Sequence, residues 1–219
     1  MQTRWTILFR TLVLIVIMTG MARPAQADIL VTFGVNNQGT DNVLLTDADD
    51  VFTVFGTVNS GLFDVLFTSN SGLDLLNADA SGQAVITPGT GNDSFTNIRF
   101  AIEDGSSFTR AVFNVNAATT GDVLISVAGL NIVGGLFQAV FPVDANGQNF
   151  FTVDALNGQL ITSIDLTAQG DLEFEDLRQV RLGGGIGSLV AVPEPASLLL
   201  LGSGLTLVAG AYRRRKSRR

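Results

Sequence analysis

Turn-forming residue pairs recur at roughly ten-residue spacing through the middle of the chain, and this spacing limits the fold more than any other feature. The pairs are Ser60-Gly61, Ser71-Gly72, Ser81-Gly82, Gly91-Asn92, Asp104-Gly105, Thr120-Gly121, Gly134-Gly135, Asn146-Gly147 and Asn157-Gly158. Short runs rich in Val, Ile, Phe and Thr lie between them. Such runs are typical of strands in an all-β sandwich or barrel. The sequence therefore predicts an all-β, antiparallel sandwich of jelly-roll type.

Alternation of apolar and polar residues supports the strand prediction. In NIRFAIE, Ile98, Phe100 and Ile102 would share one face, and in DVLISVA the apolar residues also alternate. This period of two is the pattern of a strand with one buried face. Most of the fifteen phenylalanines fall in these runs, and we expect them to fill the core.

Two neighbouring segments echo each other. VDANGQNF starts at Val143 and VDALNGQL starts at Val153, and each carries an Asn-Gly pair. Because both positions of Asn-Gly accept positive φ, the pair suits a two-residue hairpin turn. The echo therefore predicts two consecutive β-hairpins in this part of the chain.

Charge is distributed unevenly along the chain. Residues 28–192 hold four basic residues, Arg99, Arg110, Arg178 and Arg181, but nineteen of the twenty acidic residues. Their formal charge is therefore −15, whereas the whole chain carries −7. Binding to nucleic acid depends on Lys and Arg that neutralise phosphates. We expect no nucleic-acid partner.

Cysteine and histidine are both absent from the chain. Their absence excludes thiol nucleophiles, Ser-His-Asp triads, and zinc or haem sites built on imidazole or thiolate ligands. The core has to stabilise the fold without a disulfide bond. Together these exclusions favour a protein without catalytic activity.

The first 27 residues have the order of a secretory signal peptide. Basic residues precede a short apolar run, which is followed by Ala25-Gln26-Ala27. Small residues at Ala25 and Ala27 form an A-x-A site for signal peptidase. The sequence predicts a signal peptide helix over residues 1–27 and a mature chain that starts at Asp28.

The C-terminal end combines an uncharged segment with a basic tail. Residues 196–212 contain no charge and are long enough for a single transmembrane helix near the lower length limit. The basic tail consists of Arg213, Arg214, Arg215, Lys216, Arg218 and Arg219. Under the positive-inside rule the tail stays in the cytoplasm and the body lies outside. The precursor is thus expected to be anchored in the inner membrane.

A proline-flanked tetrapeptide precedes the uncharged segment. It consists of Val192, Pro193, Glu194 and Pro195. Followed by a short span and an arginine cluster, it resembles the PEP-CTERM sorting signal of Gram-negative bacteria over residues 192–219. The resemblance implies that exosortase recognises the tetrapeptide as a substrate and that the mature protein reaches the cell surface or an exopolysaccharide matrix. The alternative is an ordinary single-span anchor after a proline-rich linker.

The predicted domain order follows from these segments. It is a signal peptide (1–27), a β-sandwich domain (28–182), a Gly-rich linker (183–191) and the sorting signal (motif 192–195, helix 196–212, tail 213–219). Residues 176–181, DLRQVR, also resemble the closing strand of uncharacterised all-β domains of PEP-CTERM proteins.

Acidic residues in two predicted loops are candidate calcium ligands. They are Asp47, Asp49 and Asp50 in one loop and Asp144 and Asn146 in the other. Ca²⁺ binds six to eight oxygens, often from such loops, but neither loop has the full EF-hand pattern. Solvated turn acids explain the same pattern. Apart from this structural calcium we expect no cofactor.

A second acidic group raises the alternative of glycoside hydrolysis. Asp171, Glu173, Glu175 and Asp176 lie close in sequence, and hydrolases of this kind use paired carboxylates. However, Trp5 and Tyr212, the single Trp and the single Tyr, both lie in the terminal segments, so the body has neither residue for stacking on sugar rings.

The sequence thus favours an exported, non-catalytic surface or matrix protein with a structural or adhesive role. The alternatives are a calcium-stabilised carbohydrate-binding module and a hydrolase. The expected partners are signal peptidase, exosortase, the inner membrane before processing, and exopolysaccharide.

Overall fold

The computed structural model describes residues 29–184, except 62, 70–73, 81–84, 133–134 and 146. The signal peptide, the sorting motif, the transmembrane segment and the basic tail predicted above lie outside the described residues. No helix in the described part is long and apolar enough to cross a membrane.

The described residues form fourteen β-strands, all paired antiparallel. In chain order the strands are β1 (Ile29–Phe33), β2 (Thr40–Leu45), β3 (Ala48–Val51), β4 (Thr53–Val58), β5 (Asp64–Thr68), β6 (Leu76–Asp79), β7 (Val85–Pro88), β8 (Asn97–Ile102), β9 (Arg110–Ala117), β10 (Gly121–Leu130), β11 (Leu136–Val143), β12 (Asn149–Ala155), β13 (Leu160–Gln169) and β14 (Phe174–Gly183). The predicted all-β antiparallel fold is confirmed. The last strand ends one residue inside the predicted Gly-rich linker.

The strands form two layers. The first layer has the order β1-β12-β9-β14-β7-β6-β3, and the second has the order β2-β4-β5-β8-β13-β10-β11. Strand β14 joins them. One of its sides pairs with β9, and the other pairs with β7 at Leu177 and Arg178 and then with β2 from Arg181 to Gly183. A break in register between Arg178 and Arg181 separates the two pairings, and Gln179 has a φ of 56° there.

The core lies between the layers and is rich in phenylalanine. Strand β8 alternates as predicted, since Ile98, Phe100 and Ile102 are buried. The Phe100 ring meets the ring of Phe113 in β9 edge-on, with centroids 5.5 Å apart. Aromatic edge-to-face pairs of this kind add stabilisation beyond the area they bury. The prediction of phenylalanine as core filling is confirmed for seven fully buried rings, namely Phe67, Phe95, Phe100, Phe108, Phe113, Phe151 and Phe174.

The prediction of consecutive hairpins near residues 143–160 is wrong. Strand β12 pairs with β1 and β9, whereas β11 and β13 both pair with β10. The connections on either side of β12 therefore run from one layer to the other. The local turn is nevertheless as expected, because Asn157 and Gly158 both have positive φ and Gln159 N–H donates to the Leu156 carbonyl. A turn dipeptide fixes the local reversal of the chain, but partner strands are chosen by the packing of the whole core.

Candidate functional site

The acidic residues of the first candidate calcium loop lie at and before β3. Asp47 Oδ1 accepts a hydrogen bond from the Ala80 N–H (2.7 Å). Asp50 Oδ1 accepts one from the Thr90 N–H (2.5 Å). The Asp50 N–H in turn donates to the side-chain oxygen of Asn77 (2.6 Å). Two of the three carboxylates therefore hold neighbouring loops in place.

The second candidate loop lies between β11 and β12. The side chain of Asn149 clamps this loop, because its oxygen accepts from the Asp144 N–H (3.0 Å) and its nitrogen donates to the Asp144 carbonyl (2.9 Å). The predicted ligand Asn146 lies outside the described residues. In the described ranges, no three acidic side chains are close enough together to hold a metal ion. Asp47, Asp49, Asp50, Asp144 and Asn146 remain a prediction.

The second acidic group lies at the start of β14. Glu173 Oε2 accepts from the Ser94 hydroxyl (2.9 Å). The side-chain nitrogen of Asn116 donates to Glu175 Oε2 (2.7 Å) and to Asp176 Oδ2 (3.1 Å). The carboxylates of Glu175 and Asp176 therefore both accept hydrogen bonds from the side-chain amide of Asn116.

Asp176 is the most buried of these acids, with 6% of its surface exposed. It forms an ion pair with Arg178, whose Nε donates to Asp176 Oδ1 (2.5 Å) while a terminal nitrogen donates to Oδ2. These hydrogen bonds raise the pKa of the Arg178 guanidinium. The Asp176 carboxylate is therefore committed to contacts within the fold.

A connection between β1 and β2, residues 34–39, crosses the outer face of the first layer. The side chain of Thr152 in β12 holds this connection in place. Its hydroxyl donates to the Gly34 carbonyl (2.8 Å) and accepts from the Asn36 N–H (3.1 Å). Arg110 fixes its far end by donating to the Gln38 carbonyl (2.8 Å). This crossing connection buries polar residues on the outer face of the sheet, where alternation alone predicts exposure.

Two buried polar atoms beside this connection have no hydrogen-bond partner in the described structure. They are Asn114 Oδ1 and Arg181 Nε. Asn114 lies opposite Arg178 in the β9–β14 register and is only 2% exposed. Buried polar groups are paired in most proteins, so these two atoms are exceptions in the described body. The alternation of RAVFNVNA was the sequence signal that could have indicated this position of Asn114, because it places Asn114 and Asn116 on the face opposite the core.

Comparison with known proteins gives one specific result for this chain. The profile of the PEP-CTERM protein-sorting motif matches residues 191–216. The chain carries a PEP-CTERM sorting motif. The motif contains Val192, Pro193, Glu194 and Pro195, and it identifies the protein as one that is exported and sorted to the cell envelope. No curated protein shows significant sequence similarity to this chain.

The described body shows only a general similarity to solved structures. One is a "Carbohydrate binding module family29", with 16% identity and a TM-score of 0.38 over 78% of this chain and 98% of that chain. Another is a CBM29-2 variant complexed with cellulohexaose, with 15% identity and a TM-score of 0.38 over 71% of this chain and 92% of that chain. Values this low carry no conclusion about function.

Proposed function

We propose that this chain is an exported, non-catalytic protein that exosortase processes and that has a structural or adhesive role at the cell surface or in an exopolysaccharide matrix. The observation that carries the proposal is the sorting motif at residues 191–216. Proline disfavours helix formation at and before its own position, so Pro193 and Pro195 make the tetrapeptide suited to a protease that binds extended substrates. A protease that binds extended substrates gains access to such a site just outside the membrane.

The order of the segments supports the same route. The A-x-A site at Ala25 and Ala27 ends the signal peptide, and the basic tail after residue 212 follows the uncharged segment. Export of the body with retention of the tail is the orientation that the positive-inside rule requires. Both terminal segments are then removed, and the β-sandwich is the part that reaches its destination.

The described body favours a role without catalysis. Catalytic carboxylates need an oxygen that is accessible to substrate. Asp176 and Glu175 instead share the amide of Asn116, and Asp176 also pairs with Arg178. Glu173 accepts a hydrogen bond from Ser94 on the neighbouring loop. These interactions support the view that the acids stabilise turns and strand ends.

The processing route is tested by the intact mass of protein recovered from the cell exterior. We expect a chain that starts at Asp28 and lacks residues 196–219. Replacing Pro193 and Pro195 with alanine should leave the tail attached and retain the protein in the inner membrane. The matched control is Leu189→Ala with Val190→Ala, a double change just upstream of the motif that should not alter processing. Normal trimming of the proline variant would contradict the proposal.

The adhesive role is tested by calorimetry of the exported protein with matrix polysaccharide, in the presence and absence of EDTA. Heat of binding that EDTA does not change would support adhesion by the body alone. Heat that EDTA abolishes would point to the calcium-dependent binding module predicted as the alternative. Absence of heat in both samples would contradict an adhesive role and leave a structural one.

A further inference from the structure

Strand β11 forms a free edge of the sheet. It pairs with β10 without a bulge, from Leu136 opposite Ala128 to Val143 opposite Gly121. On its other side it pairs with no strand in the described part of the chain. A regular edge of this kind presents unpaired N–H and C=O groups to solvent and is a template for strand addition.

The composition of β11 does little to block such pairing. Its sequence, LFQAVFPV, contains no charge. Leu136 and Val140 point outward and are 46% and 55% exposed. Phe137 and Phe141 point toward the core but are only partly buried, although the Phe141 ring contacts the rings of Phe33 and Phe151. Natural edge strands are protected by lysine, bulges or proline, and here only Pro142, near the end of the strand, does this.

We propose that β11 pairs antiparallel with β11 of a second copy of this chain, around a two-fold axis at Gln138. The proposal goes beyond the sorting route and does not depend on it. In this register Leu136 lies opposite Val140 of the second copy on the outer face. On the core side Phe137 lies opposite Ala139 of the second copy. Large side chains thus meet smaller ones on both faces, and the same surface serves both subunits, as a closed two-fold interface requires.

The position of Pro142 indicates which backbone groups face the second copy. A proline is tolerated in an edge strand where its nitrogen, which has no hydrogen, faces the free side. Leu136, Gln138 and Val140 have the same parity as Pro142, so their N–H and C=O groups also face the free side. They form hydrogen-bonded pairs across the two-fold axis, with Cα atoms about 5.5 Å apart at the central pair.

The β11 edge is the part of the body where charge opposes a second copy least. Two bodies that each carry −15 repel one another over most of their surfaces, and β11 is an uncharged strip on which they can approach. The acid opposite this strand is Asp122, which pairs with Pro142 and lies beyond the segment 136–140 that meets the partner. A basic or acidic partner protein would find no opposite charge on β11 itself. Self-complementary apolar pairs make a second copy the better match.

The register is tested by disulfide cross-linking, because the chain contains no cysteine. In Gln138→Cys the two thiols lie at the two-fold axis, where a Cα separation of about 5.5 Å suits a disulfide bond. We expect a disulfide-linked dimer after mild oxidation of the full chain in isolated membranes and of the exterior fraction, read by non-reducing electrophoresis and intact mass. The matched control is Leu44→Cys, which is also exposed (50%) but lies on β2 in the interior of the sheet path.

Two further variants separate this register from random collision. Val140→Cys alone should cross-link no more than Leu44→Cys, because the two copies of residue 140 would lie about 13 Å apart along the strands. A mixture of Val140→Cys and Leu136→Cys should give a mixed dimer.

A charge in the proposed strand pair gives a further test. Adding Val140→Asp to Gln138→Cys should lower the dimer yield about tenfold, because a carboxylate would lie against the apolar side chain of Leu136 of the second copy. Equal cross-linking of Gln138→Cys and Leu44→Cys would overturn the proposal. Because the cross-link is read on the full chain as well as on the exterior fraction, its outcome does not depend on whether the sorting motif is cleaved.

Discussion

At the scale of single residues, several aspartate side chains of the body each accept a hydrogen bond from a backbone N–H. Asp47 and Asp50 each accept a backbone N–H from a neighbouring loop. Asp104 accepts the N–H of Ser106 two residues away (2.8 Å), which is the local pattern of an Asx turn. Carboxylates of the body thus hold loops together at long range, as Asp47 and Asp50 do, and shape a local turn, as Asp104 does.

Removal of the cation beside Asp176 should destabilise the fold. Arg178→Ala leaves a buried carboxylate with only the Asn116 amide as a partner. We expect the free energy of unfolding to fall by about 2 kcal/mol, less than for a fully buried pair because Arg178 is partly exposed. Urea unfolding measures the change. Arg99→Ala, at an exposed arginine, is the control and should change the free energy by less than about 0.5 kcal/mol.

The Asp104 carboxyl should titrate below its ordinary pKa of 3.8, chiefly because the Ser106 hydroxyl and N–H stabilise its charged form. A lowered pKa in the folded state adds stability that is present above the ordinary value and is lost as the pH falls through the folded value. Ser106→Ala should raise the pKa of Asp104, as followed by carboxyl carbon chemical shifts during a pH titration. Ser94→Ala, which touches Glu173 instead, should leave the Asp104 pKa unchanged.

At the scale of strands, β14 is the element that connects the two layers. Its break in register after Arg178 lets one side of the strand pair with β7 in the first layer and then with β2 of the second. The sequence resemblance to a closing strand located β14, and alternation located β8 and β10. Alternation could not reveal that β14 serves both layers, because a bulge is set by contacts on both sides of the strand.

Gly183 is the tightest point of this joint. A Cβ at this position would overlap the carbonyl oxygen of Gly39, just before β2. Gly183→Ala should therefore force β2 away from β14 and lower the free energy of unfolding by about 2–3 kcal/mol. Gly121→Ala is a milder comparison, because its nearest neighbour is a side-chain atom, Leu172 Cβ, at 3.1 Å. Thermal unfolding of both variants gives the contrast, and equal stability would contradict the role of Gly183.

At the scale of the whole molecule, the charge of the body governs stability and association. Nineteen acids oppose four arginines, so the folded body repels itself at low ionic strength. Raising the salt concentration from about 10 to 300 mM shortens the screening length from about 30 Å to less than 8 Å. We expect the melting temperature of the exported protein to rise as a result. A melting temperature that falls or stays constant would contradict this expectation.

The same measurement tests the calcium prediction. At equal ionic strength, CaCl₂ should raise the melting temperature more than MgCl₂ only if oxygen ligands form a specific calcium site. If a difference appears, Asp47→Asn and Asp144→Asn identify which of the two predicted loops supplies the ligands. Equal shifts from the two salts would remove the calcium-stabilised alternative.

The sequence by itself determined the fold class, the strands with clear alternation, and the sorting motif, because each depends on a local pattern or a short linear signal. Only the tertiary structure decided which strands pair, that Asn157-Gly158 links two layers, and that the Asn114 side chain and the Arg181 Nε atom become buried. These features depend on contacts between residues far apart in the chain, such as Thr152 with Gly34 and Arg110 with Gln38. Local patterning specifies which face of a strand is apolar, whereas the neighbour across that strand is set by packing the whole core at once.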